Sequence, residues 1–411
     1  MTRSLRAATL LLGAVVLIAS LVACAGKPGL TVRPAGGSSD PATAAPSPTR
    51  HSGTPSPTST PAPRLRGFTL VATGDVLLHE RLWAQARRDA TGNAEMNFAP
   101  QLAAIRPVLA GADVAICHLE TPLAPKGGPY SGYPTFSVPP EIVPALARTG
   151  YDACTTASNH TFDQGVDGIR RTLRALDAAG LAHAGSARTP AEAARPTLIE
   201  VKTPGGVVTV GLLSYTFGFN GIPYPNGDTW RANEIDEKRI LADAAAIRAA
   251  GAEFVVVALH WGTEYSNEPN AEQRELAPRL IASPDIDLLL GHHAHVVQPM
   301  QYVDGEWIVY GMGNLMAAHR TPGERQSEGL LVRFTIREDP TRDAFVTTRA
   351  EFLPLLQTDV FPVGVIDVPR ALAGGPAGTA TKARLRLALE RTTRVVQSMG
   401  AANHGLRMVR R

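Results

Sequence analysis

The stretch Gly291 to Gln298 reads GHHAHVVQ and places His292, His293 and His295 within four residues. Neutral imidazole is the commonest protein ligand for zinc, iron and similar ions, and several imidazoles on one short loop have little structural use. Other apolar runs also end in groups that can hold a metal. Thr73-Gly74 leads to Asp75, and His118-Leu119 to Glu120. Ser158 to Asp163 contains Asn159, His160 and Asp163, and Leu259 is followed by His260, with Glu264 close behind. A mixed Asp, Glu, Asn and His set of this kind suits a two-metal hydrolase. One carboxylate bridges two ions about 3.5–4 Å apart, and the ions activate a water and polarise a phosphoryl or acyl oxygen. Singly, each residue has an ordinary alternative: a carboxylate after a strand caps a helix or closes a turn. A lone histidine such as His183 or His319 is read as a hydrogen-bonding residue. The argument rests on the joint pattern and on GHHAH.

Positioning such groups requires strands that end on one side of a sheet. The run Ile286 to Leu290, bounded by turn-formers, reads as a buried strand with the histidines on the loop at its carboxyl end, where open α/β sheets bind ligands. Further strands are predicted at Phe68–Thr73, Val114–Cys117, Asp152–Thr156, Val207–Leu213 and Phe254–Leu259. Helices are predicted near 81–88, 101–109, 141–149, 166–179, 234–250 and 272–282. After the histidine loop, Met300–Val303 and Trp307–Tyr310 flank Asp304-Gly305, a hairpin signal. Two more strands fall near Leu330 and Phe345, and Thr381 to Met399 reads as a terminal helix. Alternating strand and helix predicts an α/β layered fold in one main domain.

The N-terminus reads as a targeting signal. Arg3 and Arg6 precede the apolar run Ala7 to Ala19, and Leu21-Val22-Ala23-Cys24 forms a small-residue cleavage site ending in cysteine. This matches a bacterial lipobox, with Cys24 lipidated, and the apolar run is short for a span of about 20 residues. The expected division is a lipoprotein signal peptide over 1–24, a Pro/Ser/Thr-rich disordered linker over 25–66, the main domain over 67–360 and a C-terminal extension with the terminal helix over 361–411. The expected location is extracytoplasmic, on the outer face of the cytoplasmic membrane. A formal charge of +3 and the lack of a basic cluster interleaved with aromatics argue against nucleic acid as a partner. Cys117 and Cys154 both fall in predicted buried strands; their spacing does not say whether they pair.

The ordered motifs GDVLLH at Gly74, HLETPL at His118, ASNHTFDQG at Ala157, LHWGTEY at Leu259, GHHAHVVQP at Gly291 and YGMGNL at Tyr310 closely resemble the poly-γ-glutamate capsule synthesis proteins of the CapA type. The resemblance runs from about Phe68 to Leu315. It implies kinship with the calcineurin-like metallophosphoesterases and a four-layer α/β/β/α sandwich around two sheets. By the same resemblance, Asp75 is a ligand of a first metal and Glu120 the bridging carboxylate. Asn159 and His260 bind a second metal, and His293 and His295 match a His-x-His pair. His160 acts on the substrate oxyanion or leaving group with Asp163 orienting it, and His292 has a supporting role. Glu264 is expected to orient His260 or to face a substrate amine. Zinc, manganese and iron suit these ligands equally, as one or two divalent ions.

One position departs from the pattern. Metallophosphoesterases carry Asp-x-His at the first strand, whereas Leu77 stands where that histidine would be, and His79 lies at the wrong spacing. Two long Gly- and aromatic-containing loops, Pro122–Pro140 and Tyr215–Trp230, are either walls of the site or surface loops packed by their own rings. The resemblance implies a role in making, exporting or anchoring an anionic polymer such as poly-γ-glutamate, beside membrane-bound capsule synthesis partners. A metal-dependent hydrolase or transferase is one expectation, a non-catalytic polymer-binding scaffold another, and a secreted phosphatase or nucleotidase a third, by fold analogy.

Overall fold

The computed structural model describes residues 65–318, 325–358 and 360–409. The leader with Cys24, the linker through residue 64, His51 and His319 lie outside the described residues. In chain order the strands are β1 (Gly67–Val76), β2 (Val114–Leu119), β3 (Ala153–Thr155), β4 (Ala182–Ala184), β5 (Thr197–Thr203), β6 (Gly206–Thr216), β7 (Phe254–His260), β8 (Leu288–His292), β9 (Met300–Val303), β10 (Glu306–Val309), β11 (Asn314–Met316), β12 (Glu328–Asp339), β13 (Ala344–Gln357), β14 (Val365–Asp367) and β15 (Arg407–Met408). Among the described residues they form two sheets. One runs β14-β13-β12-β1-β2-β3-β4, with β11 on β1 and β15 on β13; the other runs β5-β6-β7-β8-β10-β9.

The alternation of side chains along a strand builds the layers. Leu70 and Ala72 of β1 meet Val256 and Ala258 of β7 in a core between the sheets. Val71 of β1 faces the other way, onto the helices Glu80–Arg88, Ile142–Thr149 and Gly165–Ala178. Val255 and Val257 of β7 turn outward onto the helices Glu237–Ala249 and Ala271–Ile281. Strands covered on both faces read as unbroken apolar runs, which is why Phe254–Leu259 was legible as buried. The result is the expected four-layer α/β/β/α sandwich.

Most elements fall within a few residues of their predicted spans. Asp304 and Gly305 both adopt positive φ, 52° and 103°, as a two-residue hairpin between β9 and β10 requires. The single helix expected at 101–109 is instead a 3-10 turn at Ala99–Leu102 and a short helix at Arg106–Leu109. Pro107 lacks the N–H that would continue the first into the second. The edge strands β4 and β5 lie outside the predicted spans: β4 has only three residues, whereas β5 alternates buried Ile199 and Val201 with Glu200 and Lys202, a period-2 signal those spans leave out. Cys117 and Cys154 are register partners on β2 and β3, 4.5 Å apart at Cα, and form a disulfide. Residues 361–409 carry the helix Lys382–Gln397 and also β14 and β15, which pair with β13. Val396, Ala401 and Leu406 enter the core between the sheets.

Candidate metal centre

β1, β2 and β3 run parallel in one sheet, as do β6, β7, β8 and β10 in the other. Their carboxyl ends therefore deliver Asp75, Glu120, Asn159, His160, His260, His292, His293 and His295 to one place, all of them buried. Two glycines permit the close approach of the chain there. A Cβ at Gly74 would sit 2.0 Å from the Gly313 carbonyl oxygen, and one at Gly291 would sit 1.8 Å from that of Tyr310. His293 and His295 hold left-handed backbone conformations, φ 84° and 54°, a strain that persists where the surrounding structure imposes it.

Asp75 anchors the histidine loop. Its Oδ1 lies 2.8 Å from His292 Nδ1, and its Oδ2 accepts from the backbone N–H of His293 at 3.2 Å and lies 3.3 Å from His295 Nδ1. Glu120 Oε1 stands 3.7 Å from His295 Nε2 and 3.9 Å from His260 Nε2. His260 Nε2 is also 3.0 Å from Asn159 Oδ1. The three sets Asp75/Glu120/His295, Asp75/His118/His292 and Glu264/His293/His295 each bring one ligand atom per residue within 4.8 Å of the others.

A hydrogen-bond chain links Thr155, His118 and His260: the Thr155 hydroxyl lies 2.8 Å from His118 Nδ1, and His118 Nε2 lies 2.9 Å from His260 Nδ1. With His118 Nε2 as the acceptor, His260 Nε2 keeps its lone pair, the form in which an imidazole can ligate a cation. It faces Asn159 Oδ1, whose amide nitrogen donates to Asn220 at 3.2 Å, and the Glu120 carboxyl group. In addition, both carboxylate oxygens of Glu120 and the Nδ1 of His293 are buried with no hydrogen-bond partner. An unpaired buried carboxylate is costly, and a cation is the group that satisfies this donor set. The residues fit a divalent ion.

Protonation follows the same arrangement. Burial raises Glu120 well above the ordinary carboxylate value. Burial, reinforced by neighbouring imidazoles, holds His118 and His260 well below that of a free histidine. Burial likewise brings His293 down to about 3. Against its burial, His295 rises to about 9 beside Glu120 and Asp75. Asp75, also against its burial, is lowered by its bonds to His292 and His295. His118, His260 and His293 are thus the neutral imidazoles that transition metals take as ligands, and binding at His295 and Glu120 would release protons.

Beside this cluster, His160 Nδ1 lies 2.8 Å from Asp163 Oδ2, which also accepts the Phe136 N–H at 2.7 Å. The Phe136 ring stands edge-on to His160 at 4.7 Å. The loop after Glu120 is therefore a wall of the site. The second loop is another: Asn220 bonds Asn159, and Phe217 lies 4.5 Å from His293.

Leu77 is buried among Leu78, Leu315 and Met316 and offers no ligand. His79 turns to Ala318, whose N–H donates to its Nδ1 at 3.2 Å. His183 pairs with Asp177. Glu264 lies with His293 and His295 rather than against His260, whose orienting partner is His118. Neither His118 nor Asn314, which bonds His295 Nδ1 at 3.0 Å, was singled out from the sequence. The available signals were the position of His118 two residues before Glu120 and the polar Asn314 within YGMGNL.

Fold and site together define an α/β/β/α sandwich protein with a buried carboxylate–imidazole cluster suited to divalent cations. The model of the bacterial capsule synthesis protein family PGA_cap matches residues 69–319, more than half of the chain, and the chain belongs to that family. The PGA biosynthesis protein CapA of Bacillus subtilis is 28% identical over 207 residues, 49% of this chain and 51% of that protein. A "Probable polyglutamine synthesis accessory protein" of Mycobacterium tuberculosis is 26% identical over 222 residues, 52% of this chain and 58% of that one. The chain thus spans about half the length of the curated relatives it matches. Among solved structures, it is similar to the calcineurin-like phosphoesterase YfkN of Bacillus subtilis, 13% identical, with 80% of this chain and 98% of that chain covered and a TM-score of 0.43.

Proposed function

We propose that this chain is an extracytoplasmic lipoprotein, anchored through Cys24, that serves the synthesis, export or anchoring of an anionic poly-γ-glutamate-like polymer by metal-assisted hydrolysis or transfer. Family membership supports the polymer. The observation that carries the chemistry is the Glu120 carboxyl group, buried without a hydrogen-bond partner beside His260 Nε2. Asp75, Glu120, Asn159, His260, His293 and His295 are the residues that would hold one or two ions. Polarisation of a phosphoryl or acyl oxygen and activation of a water are the chemistry such ions supply when bound.

The chain's own groups do the rest. Asp163 fixes His160 with its proton on Nδ1, so Nε2 is the nitrogen that exchanges a proton with the leaving group. Phe136 packs against that ring and limits water at it. Asn220 holds the Asn159 amide so that its oxygen faces His260.

Leu77 favours a second reading, a polymer-binding scaffold that kept the fold, because its apolar side chain withholds one ligand. Metal content of the full chain and hydrolysis of poly-γ-glutamate separate the two. The proposal expects bound zinc, manganese or iron that is lost in the His293→Ala/His295→Ala variant, and chain cleavage or transfer that is lost in His160→Ala with metal retained. Absence of metal after incubation with all three ions overturns the catalytic reading. Metal binding and polymer affinity with no cleavage or transfer by wild type select the scaffold.

A further inference from the structure

Leu77 offers no ligand at the first strand end, and a carboxylate from another loop stands close to the histidine loop. Glu264 sits on the loop after β7, and one of its carboxylate oxygens lies within 4.8 Å of ligand atoms on both His293 and His295. His295 is at the same time within 4.8 Å of Asp75 and Glu120. His295 therefore joins Glu264 to the two carboxylates that stand for the first metal.

The loop is built to keep Glu264 there. Tyr265 takes a left-handed conformation, φ 64°, and its N–H donates to the Ala294 carbonyl at 2.7 Å, between the two histidines. Tyr265 also hydrogen-bonds Glu264 through its side chain. Asn267 Nδ2 donates to the Val297 carbonyl at 2.6 Å, and Gln298 Nε2 donates to the Ser266 carbonyl at 3.0 Å. Together these bonds staple residues 265–267 to the histidine loop from both ends. Three non-glycine residues with left-handed backbone, Tyr265, His293 and His295, meet at this one spot. Such strain clusters at sites where a ligand's geometry matters. His293 Nδ1, buried and without a partner, is an independent sign that a group is missing from the same place.

We infer that Glu264 is a direct ligand of the divalent cation held by His295, completing the shell that Leu77 leaves open. Ligand oxygens and nitrogens sit about 2.0–2.2 Å from zinc, so atoms up to 4.8 Å apart close onto one ion with a small side-chain rotation. Glu264 is exposed on its loop, and its hydrogen bond to Tyr265 is the contact that such a rotation would exchange. The inference rests on the metal-binding reading above and assigns Glu264 a role that orienting His260 would not give it.

The test is cation stoichiometry and affinity of the full chain, by calorimetry and elemental analysis with Mn²⁺ and Zn²⁺, for wild type and Glu264→Gln. Wild type should bind two ions and Glu264→Gln one. Leu77→His in the Glu264→Gln background should restore the second wherever that double variant folds. An orienting neighbour would weaken binding by about 10–100-fold without changing the number of ions bound at saturation. Two ions in Glu264→Gln, at wild-type or merely weakened affinity, overturn the inference and leave the metal reading intact. No ion bound by wild type overturns both.

Discussion

His118 Nε2 lies 2.9 Å from His260 Nδ1, so a second histidine of the cluster partners the His260 ring nitrogen opposite the one that faces Glu120. Replacing His118 with Ala removes the acceptor and frees the His260 ring. Cation affinity measured by calorimetry should fall by about 10–100-fold. His118→Asn, which can still accept, should recover part of that loss. Unchanged affinity in His118→Ala would show that this contact is irrelevant.

Glu120 should cost the protein stability when no cation is bound. Glu120→Gln removes a buried carboxyl group whose oxygens lack partners and which burial makes costly to ionise, so in chelator its melting temperature should exceed that of wild type. With a divalent ion at 100 times its Kd the order should reverse, because binding adds about 2.7 kcal/mol to wild type alone. Thermal melts with and without chelator read both.

Asp163 holds His160 and the Phe136 backbone at once. Asp163→Ala should therefore abolish turnover and lower stability by about 1–3 kcal/mol through the orphaned Phe136 N–H. His160→Ala should abolish turnover while leaving the Phe136 contact with Asp163 in place. Denaturant unfolding alongside activity separates the two effects.

Glu306 makes stability depend on pH. Burial, with repulsion from Asp287, raises it to about 8 from an ordinary 4.5. The native state thus keeps a proton that the unfolded chain releases. Stability from this group is fully present below about 4.5 and is lost as pH rises toward 8, by at most ~1.4 kcal/mol per pH unit. Glu306→Gln should flatten that slope in urea unfolding measured between pH 5 and 8.

The Cys117–Cys154 bridge closes a loop with a sequence separation of 37. Its removal in a Cys117→Ala/Cys154→Ala variant should lower unfolding free energy by about 2–4 kcal/mol. A strong reductant should have a similar effect on wild type and none on the variant.

Much of this molecule was legible in its residues. The strands β1, β7 and β8 announced themselves as apolar runs because both of their faces are covered. Asp75, Glu120, Asn159, His260, His293 and His295 stood out as polar groups that follow apolar runs and through the motif resemblance, and the parallel strands bring them to one edge of the sheets. Pro107 marks the break at 101–109, yet the apolar spacing around it masked that signal. What only the tertiary structure decided are contacts between segments far apart in sequence. His118 meets His260 across 142 residues, and Glu264 meets the histidine loop through the staple at Tyr265 and Asn267. Whether Cys117 and Cys154 pair was likewise open until the register of β2 on β3 set them opposite each other. Local pattern fixes which groups leave each strand. The packing of two sheets through a shared core determines which of those groups end within reach of one ion.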